Sequence, residues 1–459
     1  MSSTLFKPKQ WKNVLFEPVS AAPLGLFRIL WGGVMFYYFF ILSIGGGKYK
    51  YLDTIFHFKY PFFDWVQVAP PTVMYACFYG GVLLSIMMSL GLFYKFTSKA
   101  LFGIYTYTFL LDISFWNNHY YAYMLIGGFF AISGANKAYS IDKKRLDLDG
   151  TVPYWQLFLF QFQFLLIYFY GGLSKLQNKD WITNSAGYSM LHHNLKLSHE
   201  LTFLFSIIMT YGGLAYDFLI GFFLSWQRTV WWCLPFIILF NVSNFFIFNI
   251  GSFPFAMMAS FVLFVPSDWL ADRIAKLTKR SNQYSTQIEL KESVLVKKVT
   301  YISLIAYITF QLLFPFRSLF YEGSVFWTSE GKLCAWHMMA GSSYVKVKDF
   351  KVIEYNEQKT VALSVNVIQV DNFLSKKQIR TMGTFPFVIP QFAKFLKKEA
   401  EFAGLNNVAI KGQISISRNY RPMTLVIDPD IDLASLKAKT FKHNDWLLRY
   451  QIEDGFYAD

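Results

Sequence analysis

Apolar residues fall into long blocks over the first 315 positions, and alternation and charge replace them afterwards. About 20 apolar residues in a helix cross a bilayer core. The blocks therefore predict spans at 22–44, 72–93, 100–115, 120–135, 154–173, 201–224, 230–248, 253–265 and 299–314. The third, fourth and eighth are short, so the expected count is eight to nine, with a short block free to be re-entrant or half-buried.

Beyond 315 the pattern changes to that of a water-facing domain. Positions 344–354 and 360–370 alternate or run β-branched, as strands do. Positions 390–404 have helical spacing, with Phe392, Phe395, Leu396 and Ala400 on one face. Two further strands are predicted at 408–417 and 423–427, joined across Asn419-Tyr420-Arg421-Pro422, before an Asp428-Pro429-Asp430 turn. The expected fold is an all-α polytopic membrane bundle over 1–315, followed by an extramembrane α+β domain over 316–459 with a small, mostly antiparallel sheet.

Composition agrees. The chain is 54% hydrophobic and 20% aromatic, and only 16% of its positions are charged, against about 25% in soluble domains. The first block is too long for a signal-peptide core and serves as an uncleaved anchor. Lys7, Lys9 and Lys12 precede it, and Lys95, Lys99, Lys143, Lys144, Arg145 and the 273–298 segment fall in alternate loops. The positive-inside rule then places the N-terminus in the cytoplasm and, with an odd number of spans, the C-terminal domain outside. A bacterial inner membrane is expected, or the endoplasmic reticulum in a eukaryote. The net charge of +14 is explained by orientation and lipid contact, without nucleic acid.

Three cysteines, two inside spans, give no disulfide framework. No CxxC, HExxH, P-loop or GxSxG is present, and His192, His193 and His199 in one loop read as ordinary polar residues, so no metal is expected.

Polar residues within the apolar part point to chemistry, because amides and charges in lipid normally face a cavity or one another. Asp112 precedes Trp116-Asn117-Asn118-His119-Tyr120; Asn136, Lys137 and Asp142 close a span; Asn241, Ser243, Asn244 and Asn249 punctuate an aromatic helix. Lys175 ends the apolar run 154–173 within GGLSKLQNKDW. It is either a membrane-surface anchor or an amine held where water is scarce, and desolvation favours the neutral, basic form. Lys179 is expected to be its exposed counterpart. Taken singly, each asparagine reads first as a hydrogen bond between helices.

In order along nearly the whole chain, short motifs resemble those of the vitamin K-dependent γ-glutamyl carboxylases, including their short bacterial relatives with an HTTM membrane domain. They are Leu26-Phe27-Arg28-Ile29-Leu30-Trp31-Gly32, Tyr51-Leu52-Asp53 with Tyr60-Pro61, 112–120, Gly134-Ala135-Asn136 with Ser140-Ile141-Asp142, and 172–176 with Asp180-Trp181. Phe240 and Asn244 with Ile250-Gly251, Trp336-His337-Met338-Met339, Ser415-Ile416-Ser417 with Arg421, and Val426-Ile427-Asp428-Pro429 with Asp432 continue the series.

The resemblance implies a membrane enzyme whose cofactor is reduced vitamin K or a menaquinone-type hydroquinone, with O2 and CO2 as co-substrates. In the family the hydroquinone is deprotonated and oxygenated toward the epoxide. The strong base so formed takes a γ-proton from a peptidyl glutamate, which then adds CO2. Lys175 matches the lysine thought to deprotonate the hydroquinone. Asp112, Trp116, Asn117, Asn118, His119, Asn136, Lys137, Asn241, Asn244, Trp336, Met338, Met339 and Arg421 are the expected pocket lining, with Lys137 a source of positive charge beside the base. Animal members have histidines at three motif positions that here read Lys137, Asn241 and Gly341, a departure that bears on the carboxylation half. Where other members have a cysteine that bridges to the external domain, this chain has Phe58. The residues alone leave a transporter or lipid-binding protein, or a non-catalytic scaffold, as alternatives. Expected partners are the bilayer, a membrane quinol and a glutamate-containing peptide or protein.

Overall fold

A computed structural model describes residues 8–195, 197–248, 250–279, 293–338, 343–358, 360–419 and 421–448. The helical part comprises α1 (Ala22–Ile41), α2 (Pro71–Leu90), α3 (Tyr94–Leu110), α4 (Asn118–Ile132), α5 (Tyr154–Leu176), α6 (His199–Ser225, with a π turn at Ile208–Gly212), α7 (Val230–Phe248), α8 (Phe253–Ser260), α9 (Ser267–Thr278) and α10 (Val294–Leu313). Two short antiparallel strands, β1 (Pro18–Ser20) and β2 (Thr151–Pro153), pair immediately before α1 and α5, so these two helices start side by side.

Among the described residues six helices are long and apolar enough to cross a membrane, and a bent pair makes a possible seventh. The protein is thus multi-pass, with a span count below the eight to nine expected. α3 and α4, with 17 and 15 residues, fall short of that length and pack on each other. The block at 253–265 does not run straight on. α8 continues through a 3-10 turn, and the chain then bends by 100° into α9. Pro266 stands at the bend; its ring fixes φ and it has no N–H to continue the helical ladder.

Most apolar surface of the other spans faces outward, with Phe222, Trp232, Leu239 and Phe246 all exposed, as lipid contact requires. α5 is the most buried of these spans.

The C-terminal part is a four-stranded antiparallel sheet of β3 (Ser343–Tyr355), β4 (Ala362–Val367), β5 (Val408–Arg418) and β6 (Thr424–Leu425), in the order β4-β3-β5-β6. Helices α11 (Lys376–Thr384) and α12 (Ile389–Phe402) pack on it. Alternation along β5 buries Val408, Ile410, Ile414 and Ile416. These meet Phe392, Ala393, Leu396 and Ala400, close to the face read from helical spacing, with Phe395 packed at its margin.

Loops at one end of the bundle grip this layer. Phe56 lies against Phe392 and Phe395 (ring centroids 5.5 and 5.1 Å), and the Lys59 amide donates to Gln391 Oε1 (2.8 Å).

Candidate functional site

Lys175 lies in the last turn of α5 and is 1% exposed. Its Nζ is 2.6 Å from Oδ2 of Asp217 on α6, and 4.9 Å from the centre of the Trp181 ring. Two glycines permit this approach. A Cβ at Gly171 would stand 3.3 Å from Asp217 Oδ2 and 3.0 Å from Met338 Cε, and one at Gly172 would stand 3.0 Å from the Phe218 amide nitrogen. The π turn of α6 ends a few residues before Asp217, a feature frequent at functional sites.

Tyr216, beside Asp217, stacks on Phe240 (centroids 3.9 Å apart), and its hydroxyl lies 3.4 Å from that of Tyr168. Asn241 interacts with both hydroxyls, and its Nδ2 also donates to the Ile237 carbonyl (2.9 Å). Asn244 is buried on the same helix.

Asp217 was absent from the sequence-derived set, yet it is the single charged residue in 201–224. That was the available signal, since an ionisable group inside a span is a functional candidate with a partner to be found. The partner changes the chemistry expected of the lysine. In place of a solitary amine stands an amine held against a buried carboxylate.

A cavity of about 310 Å³ adjoins the pair. Phe162, Leu165, Phe169, Phe218, Phe222 and Leu312 line it, with Asp217 as the charged wall residue. Its size is at the lower end of the roughly 300–1,000 Å³ usual for small-molecule sites, and its lining is aromatic and aliphatic. A lipophilic ring compound whose hydroxyl reaches the Asp217 carboxylate fits this donor set. Exposed Phe222 and Phe223 on the same helix give the cavity a lipid-side approach.

The expected lining residues divide into three places. Asp112, Trp116, Asn117, Asn118 and His119 lie where the bundle meets the sheet. Asp112 is fully buried, accepting from the Ser114 amide (2.8 Å) and Gln378 Nε2 (2.9 Å) and lying 3.1 Å from His57 Nδ1. Asn117 caps α4 through the Tyr120 amide (2.9 Å), Asn118 Nδ2 donates to the His337 carbonyl (2.8 Å), and the His119 ring packs tilted against Phe253 (4.6 Å). Trp336 is buried, donating to Gln311 Oε1 (3.3 Å), with its ring tilted against that of Tyr121 (4.9 Å). Met338 reaches Gly171 beside Asp217, whereas Met339 and Gly341 lie outside the described residues.

Asn136 and Lys137 are elsewhere. The Gly134 amide donates to Gln156 Oε1 (2.8 Å) in the first turn of α5, and Lys175 is in its last. The separation along the axis is about 28 Å, at 1.5 Å per residue. Lys137 pairs with Asp149 (2.9 Å), so the single pocket expected to contain it is not formed.

That far end is a structural clamp. Buried Arg28 donates to the carbonyls of Met88 (2.6 Å), Ser89 (2.7 Å), Tyr139 (2.7 Å) and Ala135 (3.3 Å). Asp142 accepts from the amides of Phe93 (3.1 Å) and Tyr94 (2.8 Å) at the start of α3.

Arg421 joins the sheet to the lysine's own loop. It pairs with Asp180, and Asn419 Nδ2 donates to the other carboxylate oxygen (2.6 Å). Lys179 is exposed. Among the described residues no group of three or more His, Cys, Asp or Glu is placed to hold a metal. The His192 and His199 rings pack against Tyr188.

No solved structure matches the chain. Residues 16–269, more than half of its length, match the family description HTTM domain. Residues 296–453 match the description vitamin K-dependent gamma-carboxylase, lumenal domain. With the two matches in order along it, the chain belongs to the HTTM-domain family and is gamma-carboxylase-like in its second part.

Proposed function

We propose that this chain is a membrane hydroquinone oxygenase that couples epoxide formation to carboxylation of glutamyl residues. The observation that carries this reading is the buried Lys175–Asp217 pair at the wall of an apolar cavity. When bound, a reduced vitamin K or menaquinone-type quinol supplies the reducing equivalents and, with O2, the strong base that carboxylation by CO2 requires. The protein's own task is proton handling. With a quinol hydroxyl within hydrogen-bonding reach of Asp217 Oδ2, Lys175 and Asp217 would together take up its proton and hold the positive charge beside the carboxyl. That charge then stabilises an anion in the adjoining cavity, where low polarity strengthens the attraction. Phe162, Phe169, Phe218 and Phe222 exclude water and hold a flat ring.

We place the membrane part at 1–315 and the extramembrane part at 316–459. The basic loops favour a cytoplasmic N-terminus with the C-terminal part on the opposite face. The link from Asp180 to Arg421 puts the lysine's end of α5 beside that part, where a peptide substrate approaches. Of the three positions that differ from animal members, Asn241 lies beside Tyr216, the chain neighbour of Asp217.

Purified protein given a reduced menaquinone or vitamin K, O2, hydrogencarbonate and a glutamate-rich peptide should yield quinone epoxide and a peptide heavier by one carboxyl group in the mass spectrum. Epoxide without the mass gain limits the activity to oxygenation. Production of neither from any quinol tested rejects the reading.

A further inference from the structure

The π turn at Ile208–Gly212 interrupts α6 just before Asp217. Such a turn accommodates one residue more than the α-helical turn it replaces. Successive α-helical residues lie about 100° apart around the axis, so one additional residue displaces every later side chain by about 100°. With the turn present, Asp217 points where its predecessor would point in an unbroken helix. Were α6 unbroken and its first half held in place, Tyr216 would take that direction, and the carboxylate would swing away from Lys175.

The chain that follows Lys175 grips the turn from outside. Thr210, inside the turn, donates from Oγ1 to Asn184 Oδ1 (2.7 Å). Asn184 Nδ2 donates in turn to Ser206 Oγ (2.7 Å), and Ser206 Oγ to the Phe203 carbonyl (2.7 Å). Tyr211, also in the turn, donates its hydroxyl to the Ile182 carbonyl (2.8 Å). Asn184, Ser206 and Thr210 are all buried, and both polar atoms of the Asn184 amide are engaged. Thr202, in the regular part of α6, behaves differently and turns its hydroxyl back to the Ser198 carbonyl (2.8 Å), as threonine in a helix usually does.

Two backbone features bring the loop this close. Asn184 has a left-handed conformation (φ 65°), which asparagine tolerates. A Cβ at Gly187 would stand 1.9 Å from Thr210 Oγ1, so the approach of the helix Ser185–Asn194 to the turn depends on glycine. The same loop carries Trp181, whose ring centre is 4.9 Å from Lys175 Nζ. One stretch of chain therefore touches the lysine and fixes the turn that aims its partner. Beyond the turn, α6 is seated on α5 in that register, with Phe218 against Gly172 and Gly221 against Leu165.

We propose that Asn184 and Thr210 are positioning residues: their hydrogen bond keeps the extra residue in α6 and so presents Asp217, rather than Tyr216, to Lys175. They act through Asp217. The consequence for catalysis rests on the function proposed above, whereas the register of α6 does not, because it is read without quinol or O2.

Register is measured by disulfide formation in the full chain in lipid nanodiscs, after a brief pulse of a thiol oxidant, with linked peptides identified by mass spectrometry. A Cβ at Gly171 would lie 3.6 Å from Asp217 Cγ, within a small adjustment of disulfide geometry. Gly171→Cys with Asp217→Cys should therefore cross-link readily, and Gly171→Cys with Tyr216→Cys slowly. Adding Thr210→Val should slow the first cross-link at least about ten-fold and speed the second by a similar factor. Thr210→Ser keeps the hydroxyl and should leave both rates as they were. Asn184→Gly removes the acceptor while keeping the left-handed backbone; it should act as Thr210→Val does, and decides alone if that variant misfolds. Unchanged cross-linking at both positions overturns the proposal. Loss at 217 without gain at 216 also overturns it, because it shows loosening and no change of register. In protein without added cysteines, Thr210→Val should lower kcat for epoxide formation, and Thr210→Ser should recover it. The expected cross-links from a protein that makes no epoxide count against the proposed function, not against this device.

Discussion

At the residue scale, the distinction is between polar groups that hold the fold and those left for chemistry. Arg28 is of the first kind. Its guanidinium satisfies carbonyls from the end of α2 and from the 135–139 turn, so Arg28→Ala exposes several buried acceptors at once. We expect a loss of about 3 kcal/mol or more, read as a lowered thermal midpoint in nanodiscs, and an unchanged midpoint would refute the clamp.

Lys332 is of the second kind: burial, with Arg418 and Arg380 close by, pushes its ammonium down to about 7, while burial holds His337 down to about 4.

At the element scale, the close approach of α5 and α6 makes the site. Gly172→Leu should drive Phe218 away, separate Lys175 from Asp217 and lower epoxide formation, without altering either reacting side chain. Gly33→Ala, where nothing lies within 4 Å, is the control. Equal activity in both variants would show that helix spacing does not position the pair.

The helices themselves were legible in the sequence, because each apolar block carries its own length. The strands were legible because β5 alternates over its whole course. The break at Pro266 was less so, since the apolar run hides a bend that only backbone geometry reveals. Asp217 was missed because its meaning comes from a partner 42 positions away. The separation of Lys137 from Lys175 follows from the direction of α5, whose two ends carry one residue's neighbourhood each. Composition is silent on that point.

At the scale of the whole molecule, the sheet is fastened to the loop that follows Lys175. The Arg421–Asp180 pair is largely buried, at 13% and 12% exposure, and removing one partner of such a pair is strongly destabilising. Asp180→Ala should raise hydrogen exchange at 178–184 and at 415–425 together, while the far clamp around Arg28 stays protected. Exchange unchanged at both segments would mean that other contacts hold the sheet in place. This fastening sets the Lys175–Asp217 pair, beside its apolar cavity, at the end of the bundle that carries the sheet.

Quinone epoxide formation from a reduced menaquinone and O2 tests the central claim most directly, compared among wild-type protein, Lys175→Ala, Asp217→Asn and Lys179→Ala, each confirmed to be folded. A general base contributes about 10²–10⁴-fold. The pair predicts losses of that order in Lys175→Ala and Asp217→Asn alike, with Lys179→Ala near wild type. Full activity in either of the first two variants would contradict a coupled Lys175–Asp217 base.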